Sequence, residues 1–127
     1  KLLKHWAVED CGRVINPMLV DEQMRGAIVQ GIGGALYEEC LYDAEGQLRN
    51  GSLADYLVPM AGEMPDIVIA HVHTPVTHTL LGAKGIGEAG TIGAGAAVAN
   101  ATDAASAITQ LNALLVSLRA AGVIDSA

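Results

Sequence analysis

The sequence predicts an α+β fold in which a mixed sheet packs against helices. Two kinds of hydrophobic periodicity lead to this prediction. Apolar residues recur at helical spacing after Asp21 (Met24, Ile28 and Ile32), whereas residues 65–74 alternate in the manner of a strand. The chain has 127 residues and is 51% hydrophobic, so it can bury a core. Because it contains no Phe, we expect that core to consist mostly of Ala, Val, Ile and Leu.

The first predicted elements are a strand and a long helix. Residues 5–14 are expected to form a strand that runs into a turn at Asn16 and Pro17. Asp21 is the predicted N-cap, because its carboxylate can accept from an unpaired amide, and the helix is expected to run to about Glu39. Each glycine inside an exposed helix costs about 1 kcal/mol relative to Ala. We therefore expect something to pack very close to the four glycines of this helix: Gly26, Gly31, Gly33 and Gly34.

Three short strands are predicted after that helix. Residues 41–48 are expected to form a strand around a turn at 43–46, and residues 55–58 a short strand or extended piece that ends at Pro59. Residues 65–74 are the clearest strand, with Ile67, Ile69, His71 and His73 on one face and Val68, Ala70 and Val72 on the other.

A glycine-rich loop and helices complete the predicted order β-α-β-β-β-loop-α. The loop is expected over residues 82–95, and an Ala-rich helix over residues 94–107. Residues 108–121 either continue that helix or form a second one, and Gly122 is a typical helix stop.

Charge and cysteine content exclude several classes of protein. Seven Lys and Arg against fourteen Asp and Glu give a net charge of -7, which argues against nucleic acid or an anionic membrane as the main partner. No apolar run is long enough for a transmembrane helix. The first residues are too short and too polar a run for a signal peptide and lack an initiator Met, so the chain is expected to be processed or excerpted from something longer. Cys11 and Cys40 lack CxxC spacing, and we expect reduced thiols and a cytoplasmic location.

The segment 82–90 is the strongest candidate for chemistry. It places Lys84 and Glu88 among small residues, and glycines let a ligand approach the backbone closely. It is not a P-loop, because Gly85 follows the lysine. It contains G-x-G-x-x-G, yet we expect no parallel strand running directly into it and no βαβ unit around it. A structural turn and a ligand-binding loop with Glu88 as general base both remain open at this point; an apolar, glycine-walled site would raise the pKa of such a base.

Three stretches together carry a resemblance to a known family. They are residues 8–17 (VEDCGRVINP), residues 30–39 (QGIGGALYEE) and residues 82–90 (GAKGIGEAG). In this order and spacing they resemble the C-terminal part of the molybdenum-binding large subunit of the xanthine dehydrogenase, aldehyde oxidase and carbon monoxide dehydrogenase family. The resemblance covers about residues 6–101, and residues 102–127 form a divergent tail that is expected to be helical. It implies that the whole chain is a C-terminal segment of a larger molybdopterin-binding domain.

The resemblance implies molybdenum hydroxylase chemistry on an aldehyde, an N-heterocycle or carbon monoxide, with water as the oxygen source. Glu88 matches the family's general base. The matching cofactor contacts are Gln23, Lys84, Gly85, Ile86 and Gly87. The implied cofactor is molybdopterin in its cytosine dinucleotide form, and the implied partners are the rest of the molybdenum subunit together with 2Fe-2S and FAD domains or subunits. The alternative is a catalytically silent structural or assembly module that binds no cofactor on its own.

Several other polar residues have weaker claims to a function. His71 and His73 share a strand face near His78, and no zinc site is expected because no further ligand is clearly placed. His71 and His73 are expected to pack or face solvent, whereas His78 is close enough to the loop to be a candidate contact for substrate or cofactor. Neighbouring strand residues point to opposite faces, so Glu9 and Asp10 are not expected to act as a carboxylate pair. We expect them to be fold or surface residues with Arg13 as an ion-pair partner.

Overall fold

The computed structural model describes residues 2–100 and Val116. The chain divides into two compact units, Lys1–Gly95 and Ala96–Ala127. In the second unit, residues 96–100 and Val116 are helical. The helices predicted for residues 101–107 and 108–121 otherwise lie outside the described residues.

The described residues form two strands and two α-helices. In chain order these are β1 (Lys4–Glu9), α1 (Pro17–Leu36), a short 3-10 helix (Ala61–Glu63), β2 (Asp66–His71) and α2 (Ala89–Asn100). The two strands pair in parallel, from Lys4 beside Asp66 to Glu9 beside His71. The predicted α+β class is therefore confirmed, with β2 shorter than the predicted strand.

Parallel pairing makes β1, α1 and β2 a βαβ unit. Residues 72–81 separate the end of β2 from the glycine-rich loop, so the loop lies outside this unit and no strand runs directly into it, as expected. The unit itself was not predicted, because periodicity identifies each strand separately and carries no information on which strands pair.

Helix α1 begins earlier than predicted. Its N-cap is Asn16, whose side-chain oxygen accepts from the Leu19 N–H at 3.3 Å, and Pro17 opens the first turn. Proline suits this position because it has no N–H to satisfy and its φ is already helical. The prediction of Asp21 as N-cap is wrong, because that residue lies one turn inside the helix. The helix ends at Leu36, before the predicted Glu39, and the N–H groups of the next two residues both donate to the Gly33 carbonyl.

The segment between α1 and β2 is mostly irregular. Residues 41–48 contain the predicted turn, but the strand is reduced to one isolated bridge between Tyr42 and Leu48. Residues 55–58 are not a strand, because the N–H groups of Asp55 and Tyr56 fold back onto the Ser52 carbonyl. One strand rather than three therefore follows α1 among the described residues.

The core of the described part lies between α1 and its neighbours. Met24, Ile28 and Ile32 are its largest fully buried side chains and lie on one face of α1. Arg25 joins this helix to β2 by donating to the Ile67 carbonyl at 2.8 Å. This core is mostly Ala and Ile, as expected, although Met and Cys take part and none of the described Val or Leu residues is fully buried. Its buried apolar residues are Cys11, Met24, Ala27, Ile28, Ile32, Ile67 and Ala94.

Two of the four glycines in α1 meet a close neighbour, as predicted. A Cβ at Gly31 would lie 2.6 Å from the Ala94 Cβ and 2.9 Å from the Thr91 carbonyl oxygen of α2. A Cβ at Gly33 would lie 3.0 Å from Pro59. Among the described residues, no atom lies within 4 Å of a Cβ built at Gly26 or Gly34. Close contact therefore explains two of the four glycines, through the α2 backbone and Ala94 at Gly31 and through side-chain atoms at Gly33.

Half-buried His5 on β1 provides a pH-dependent test of the fold. Burial lowers the pKa of its imidazole from the usual 6.5, so the unfolded chain binds the proton more readily. Stability is then lost as the pH falls through 6.5 toward the folded value. We expect the free energy of unfolding, measured in urea, to fall more steeply between about pH 7 and about pH 5 in the wild type than in His5→Gln. Equal slopes would contradict this assignment, and the exposed His78 provides a matched His78→Gln control.

Candidate functional site

The glycine-rich loop covers residues 82–88 and is tied to the segment that follows β1. The Arg13 N–H donates to the Gly82 carbonyl at 3.0 Å, and the Lys84 N–H donates to the Cys11 carbonyl at 2.8 Å. Gly12 has a φ of +68° and lies so close to the Gly82 carbonyl that a Cβ would collide with it. Two segments far apart in the sequence therefore form one structural unit.

Asp10 adds an electrostatic link between these segments. Its Oδ1 accepts from the N–H groups of Gly12 at 2.9 Å and Thr74 at 3.1 Å. Its Oδ2 pairs with the Lys84 ammonium at 2.8 Å. The ammonium, together with the donors of Thr74 and Gly12, holds the pKa of Asp10 well below its usual range. Lys84, rather than the predicted Arg13, is therefore the ion-pair partner of Asp10.

The rest of the loop presents unpaired amide groups. Among the described residues, the N–H groups of Gly85, Ile86, Gly87 and Glu88 donate to no protein acceptor. In the described part of the chain, no heavy atom beyond the chain neighbours lies within 4 Å of a Cβ built at Gly85 or Gly87. These four consecutive N–H groups precede α2, whose N-terminus carries the positive end of the helix dipole. The arrangement suits a ligand with anionic or hydrogen-bond-accepting groups.

The loop continues into α2 earlier than predicted. The loop was expected to run to residue 95, but the helix begins at Ala89. Gly90 lies inside it, where a Cβ would approach the Met24 carbonyl oxygen to 2.7 Å and the Ala27 Cβ to 2.9 Å. This glycine is therefore needed for helix packing. Its place in a G-x-G-x-x-G pattern gave the wrong impression of a loop residue.

An open cleft of about 660 Å³ joins the loop to the end of β1. Glu88 is exposed at this cleft and, among the described residues, its carboxylate makes no hydrogen bond or ion pair. Glu9 lines the same cleft, which sequence reasoning missed because it assigned this residue to the fold or surface. Ligands often bind at the carboxyl ends of parallel strands, and Glu9 is the last residue of β1. A correct prediction of the parallel pairing would therefore have indicated Glu9 as a candidate site residue. The remaining lining residues are Gly85, Ile86, Gly87, Ala89, Ile92 and Gly93.

Gln23 contacts the loop from outside. It lies on α1, and its Nε2 donates to the Gly87 carbonyl at 2.9 Å. A primary amide has two donors and one acceptor, so one N–H and the oxygen remain available to a ligand. The structure thus places the Gln23 side chain against the loop at Gly87.

The three histidines do not assemble. His71 Nε2 lies 2.6 Å from Asp21 Oδ1, and His73 Nδ1 lies 3.2 Å from the Gly12 carbonyl oxygen. His78 is exposed. In the described part of the chain no three His, Cys, Asp or Glu side chains are placed to share a metal ion. His71 and His73 therefore act as contacts between elements of the fold.

Comparison with known proteins decides the family. Residues 1–65 match the family model described as "Molybdopterin cofactor-binding domain". This chain belongs to that family. The family prediction from the three motifs is confirmed. None of the helices in the described residues is long and apolar enough to cross a membrane.

Relatives of this chain in the family are oxidoreductases. It is 47% identical over 103 residues to the nicotine 6-hydroxylase large subunit of Paenarthrobacter nicotinovorans, covering 81% of this chain and 13% of the relative. It is 37% identical over 93 residues to the carbon monoxide dehydrogenase large chain of Hydrogenophaga pseudoflava, covering 73% and 12%. The quinoline 2-oxidoreductase of Pseudomonas putida 86 superposes with a TM-score of 0.71 at 46% identity, over 84% of this chain and 13% of that one.

The extent of these matches includes the candidate site. A match of 103 residues in a chain of 127 necessarily includes residues 25–103, and therefore the loop. The chain nevertheless spans only about an eighth of the length of these relatives.

Proposed function

We propose that this chain supplies one wall of the cofactor site in a molybdenum hydroxylase large subunit, and the general base of that site. The observation that carries this proposal is the row of four unpaired N–H groups at residues 85–88, which shares one cleft with the exposed carboxylate of Glu88. The row fits the acceptor-rich pterin and phosphate groups of molybdopterin, because open space beside Gly85 and Gly87 lets a ligand reach the backbone.

The proposed cofactor contacts are the backbone of residues 85–87, together with Lys84 and Gln23. Gln23 retains one N–H and its oxygen for the cofactor, and the Lys84 ammonium retains two N–H bonds after pairing with Asp10. When bound, molybdopterin supplies the two-electron redox centre of the reaction. The protein groups orient it, while the apolar side chain of Ile92 borders the same cleft.

Glu88 is the proposed general base. Its carboxylate takes up the proton that water releases when the oxygen of that water is transferred to the substrate. A side chain with no partner among the described residues is free to approach the reacting group, which supports this role. The proposed substrates are an aldehyde, an N-heterocycle or carbon monoxide. Names of the relatives support the last two classes.

The proposal places this chain as the C-terminal segment of a molybdopterin-binding domain, with residues 102–127 as a divergent tail. Large apolar side chains on the surface of the first unit support burial against the rest of that subunit. They include Leu3, Met18, Leu53 and Leu80, each more than two thirds exposed. The cytosine dinucleotide form of the cofactor, and 2Fe-2S and FAD centres on partner domains or subunits, complete the proposal. Both cysteines are free thiols, which supports a cytoplasmic location.

Metal analysis of the native assembly tests this function. When the chain is purified through an affinity tag together with its bound partners, we expect about one molybdenum per chain, measured by plasma mass spectrometry. We expect the chain purified alone to contain none, because most of the cofactor's contacts belong to the rest of the subunit. An assembly without molybdenum would contradict the enzyme proposal and favour the alternative, a silent structural or assembly module.

A further inference from the structure

Asp10 binds groups in three segments that meet at the start of the loop. Through Oδ1 it binds the N–H groups of Gly12 and Thr74, and through Oδ2 it binds the Lys84 ammonium. These three contacts are called the Asp10 clasp. They join the segment after β1, the segment after β2 and the loop itself, which have no covalent link at this point.

The ion pair of the Asp10 clasp is partly shielded from water. Asp10 and Lys84 each retain only 31% of their side-chain exposure, so water competes less with this pair than with a fully exposed one. A carboxylate that accepts several hydrogen bonds stays ionised, and the Lys84 ammonium and its fellow donors hold the pKa of Asp10 well below its usual range. Asp10 therefore stays ionised near neutral pH.

Two residues of the loop, Lys84 and Gly87, are held by contacts to other segments. Lys84 is held by Asp10 and by its own N–H bond to the Cys11 carbonyl, and Gly87 is held by Gln23. The unpaired N–H groups of residues 85–88 begin directly after Lys84 and end directly after Gly87. If Lys84 loses its contact with Asp10, the glycines of the loop can adopt more conformations, because glycine restricts the backbone least.

We propose that Asp10 is a positioning residue that acts through Lys84 to hold the 82–88 loop in the arrangement that presents its N–H groups and Glu88 to one cleft. Asp10 itself does not line that cleft. The consequence for catalysis rests on the proposed function, whereas the effect on the loop does not. Fixing these donors in advance removes the ordering cost when a ligand binds.

Amide hydrogen exchange of the full chain tests the clasp. Asp10→Asn keeps an oxygen for Gly12 and Thr74 but removes the charge that Lys84 needs. We expect the Lys84 and Arg13 N–H groups to exchange at least about tenfold faster in this variant, because both bonds lie beside the clasp. The N–H groups of Ile28 and Ile32 in the buried face of α1 should change less than about twofold. Equal acceleration in α1 would show a general loss of structure and overturn the proposal.

Two further variants make the test specific. Lys84→Met leaves the Asp10 bonds to Gly12 and Thr74 in place and should accelerate the same amides, which keeps the proposal testable if Asp10→Asn does not fold. The double variant should exchange no faster than either single one, whereas additive effects would overturn the proposal. Asp66→Asn is the matched control, because it removes another surface ion pair (Lys4 to Asp66, 3.2 Å) and should leave the Lys84 amide unchanged.

The clasp and the proposed function can fail separately. If the assembly contains no molybdenum but Asp10→Asn still accelerates exchange of the Lys84 amide, the enzyme proposal fails and the clasp stands. If the assembly contains molybdenum but Asp10→Asn leaves exchange of the loop amides unchanged, the enzyme proposal stands and the clasp fails. Lys84→Arg, which preserves the charge, should restore exchange of the Arg13 N–H to within about threefold of the wild type.

Discussion

Replacing Glu88 by glutamine is expected to lower turnover by at least about 100-fold in the assembly that contains this chain and molybdenum, because general-base catalysis contributes about 10² to 10⁴. Glutamine has nearly the same size and keeps one acceptor oxygen, but it cannot take up a proton at neutral pH. The cleft and the amide row should be unchanged, so the molybdenum content should stay at the wild-type value. The measurement is steady-state turnover with an N-heterocycle, an aldehyde or carbon monoxide, beside metal analysis of the same preparation.

Glu9 provides the matched control for this result. It lines the same cleft, and Glu9→Gln removes the same charge by the same substitution. Glu9 has no proton-transfer role in the proposed reaction, so the turnover of Glu9→Gln should fall less than about tenfold. Full activity of Glu88→Gln, or an equal loss in both variants, would remove the role proposed for Glu88.

The largest effect on stability is expected at Gly90. A Cβ there would lie 2.7 Å from the Met24 carbonyl oxygen and 3.0 Å from the Ile28 nitrogen, and both atoms belong to the backbone of α1. A helix backbone cannot move aside as a flexible side chain can, so the helices must separate. We expect Gly90→Ala to lower the free energy of unfolding in urea by about 1 to 3 kcal/mol, the usual cost of overpacking.

A second glycine of α2 shows the opposite expectation. Among residues 2–100 and Val116, no neighbouring atom lies within 4 Å of a Cβ at Gly93, so Gly93→Ala meets no obstacle there and improves helix propensity. It should raise the free energy of unfolding by up to about 1 kcal/mol. The two substitutions are chemically identical and three residues apart, and changes of the same sign would contradict the packing explanation.

Local patterns were sufficient to indicate the described helices and strands and to select Glu88 as the candidate base. Periodicity predicted α1 and β2, since the buried face of each element repeats along the chain. The glycine-rich segment with Glu88 was also visible, because a single carboxylate among small residues is a local feature. Local patterns failed at the start of α1, where Asn16 and Pro17 were interpreted as a turn although they are a typical cap and first residue.

Contacts between distant segments were beyond such patterns. The partner of Asp10 is Lys84, although Arg13 is far closer in the sequence. Glu9 reaches the cleft only because β1 and β2 pair in parallel and both end beside the loop. Gly90 is a packing residue because α2 crosses α1 at that point.

By itself the sequence determined the family, the α+β class and the candidate base, because motif order, periodicity and a lone carboxylate are all properties of the linear chain. Only the tertiary structure decided which groups hold the loop, which carboxylates share a cleft and which glycines allow helices to meet. The physical reason is that ion pairs and close packing depend on distances in space of a few ångströms. A folded backbone creates those distances between residues that the sequence separates widely.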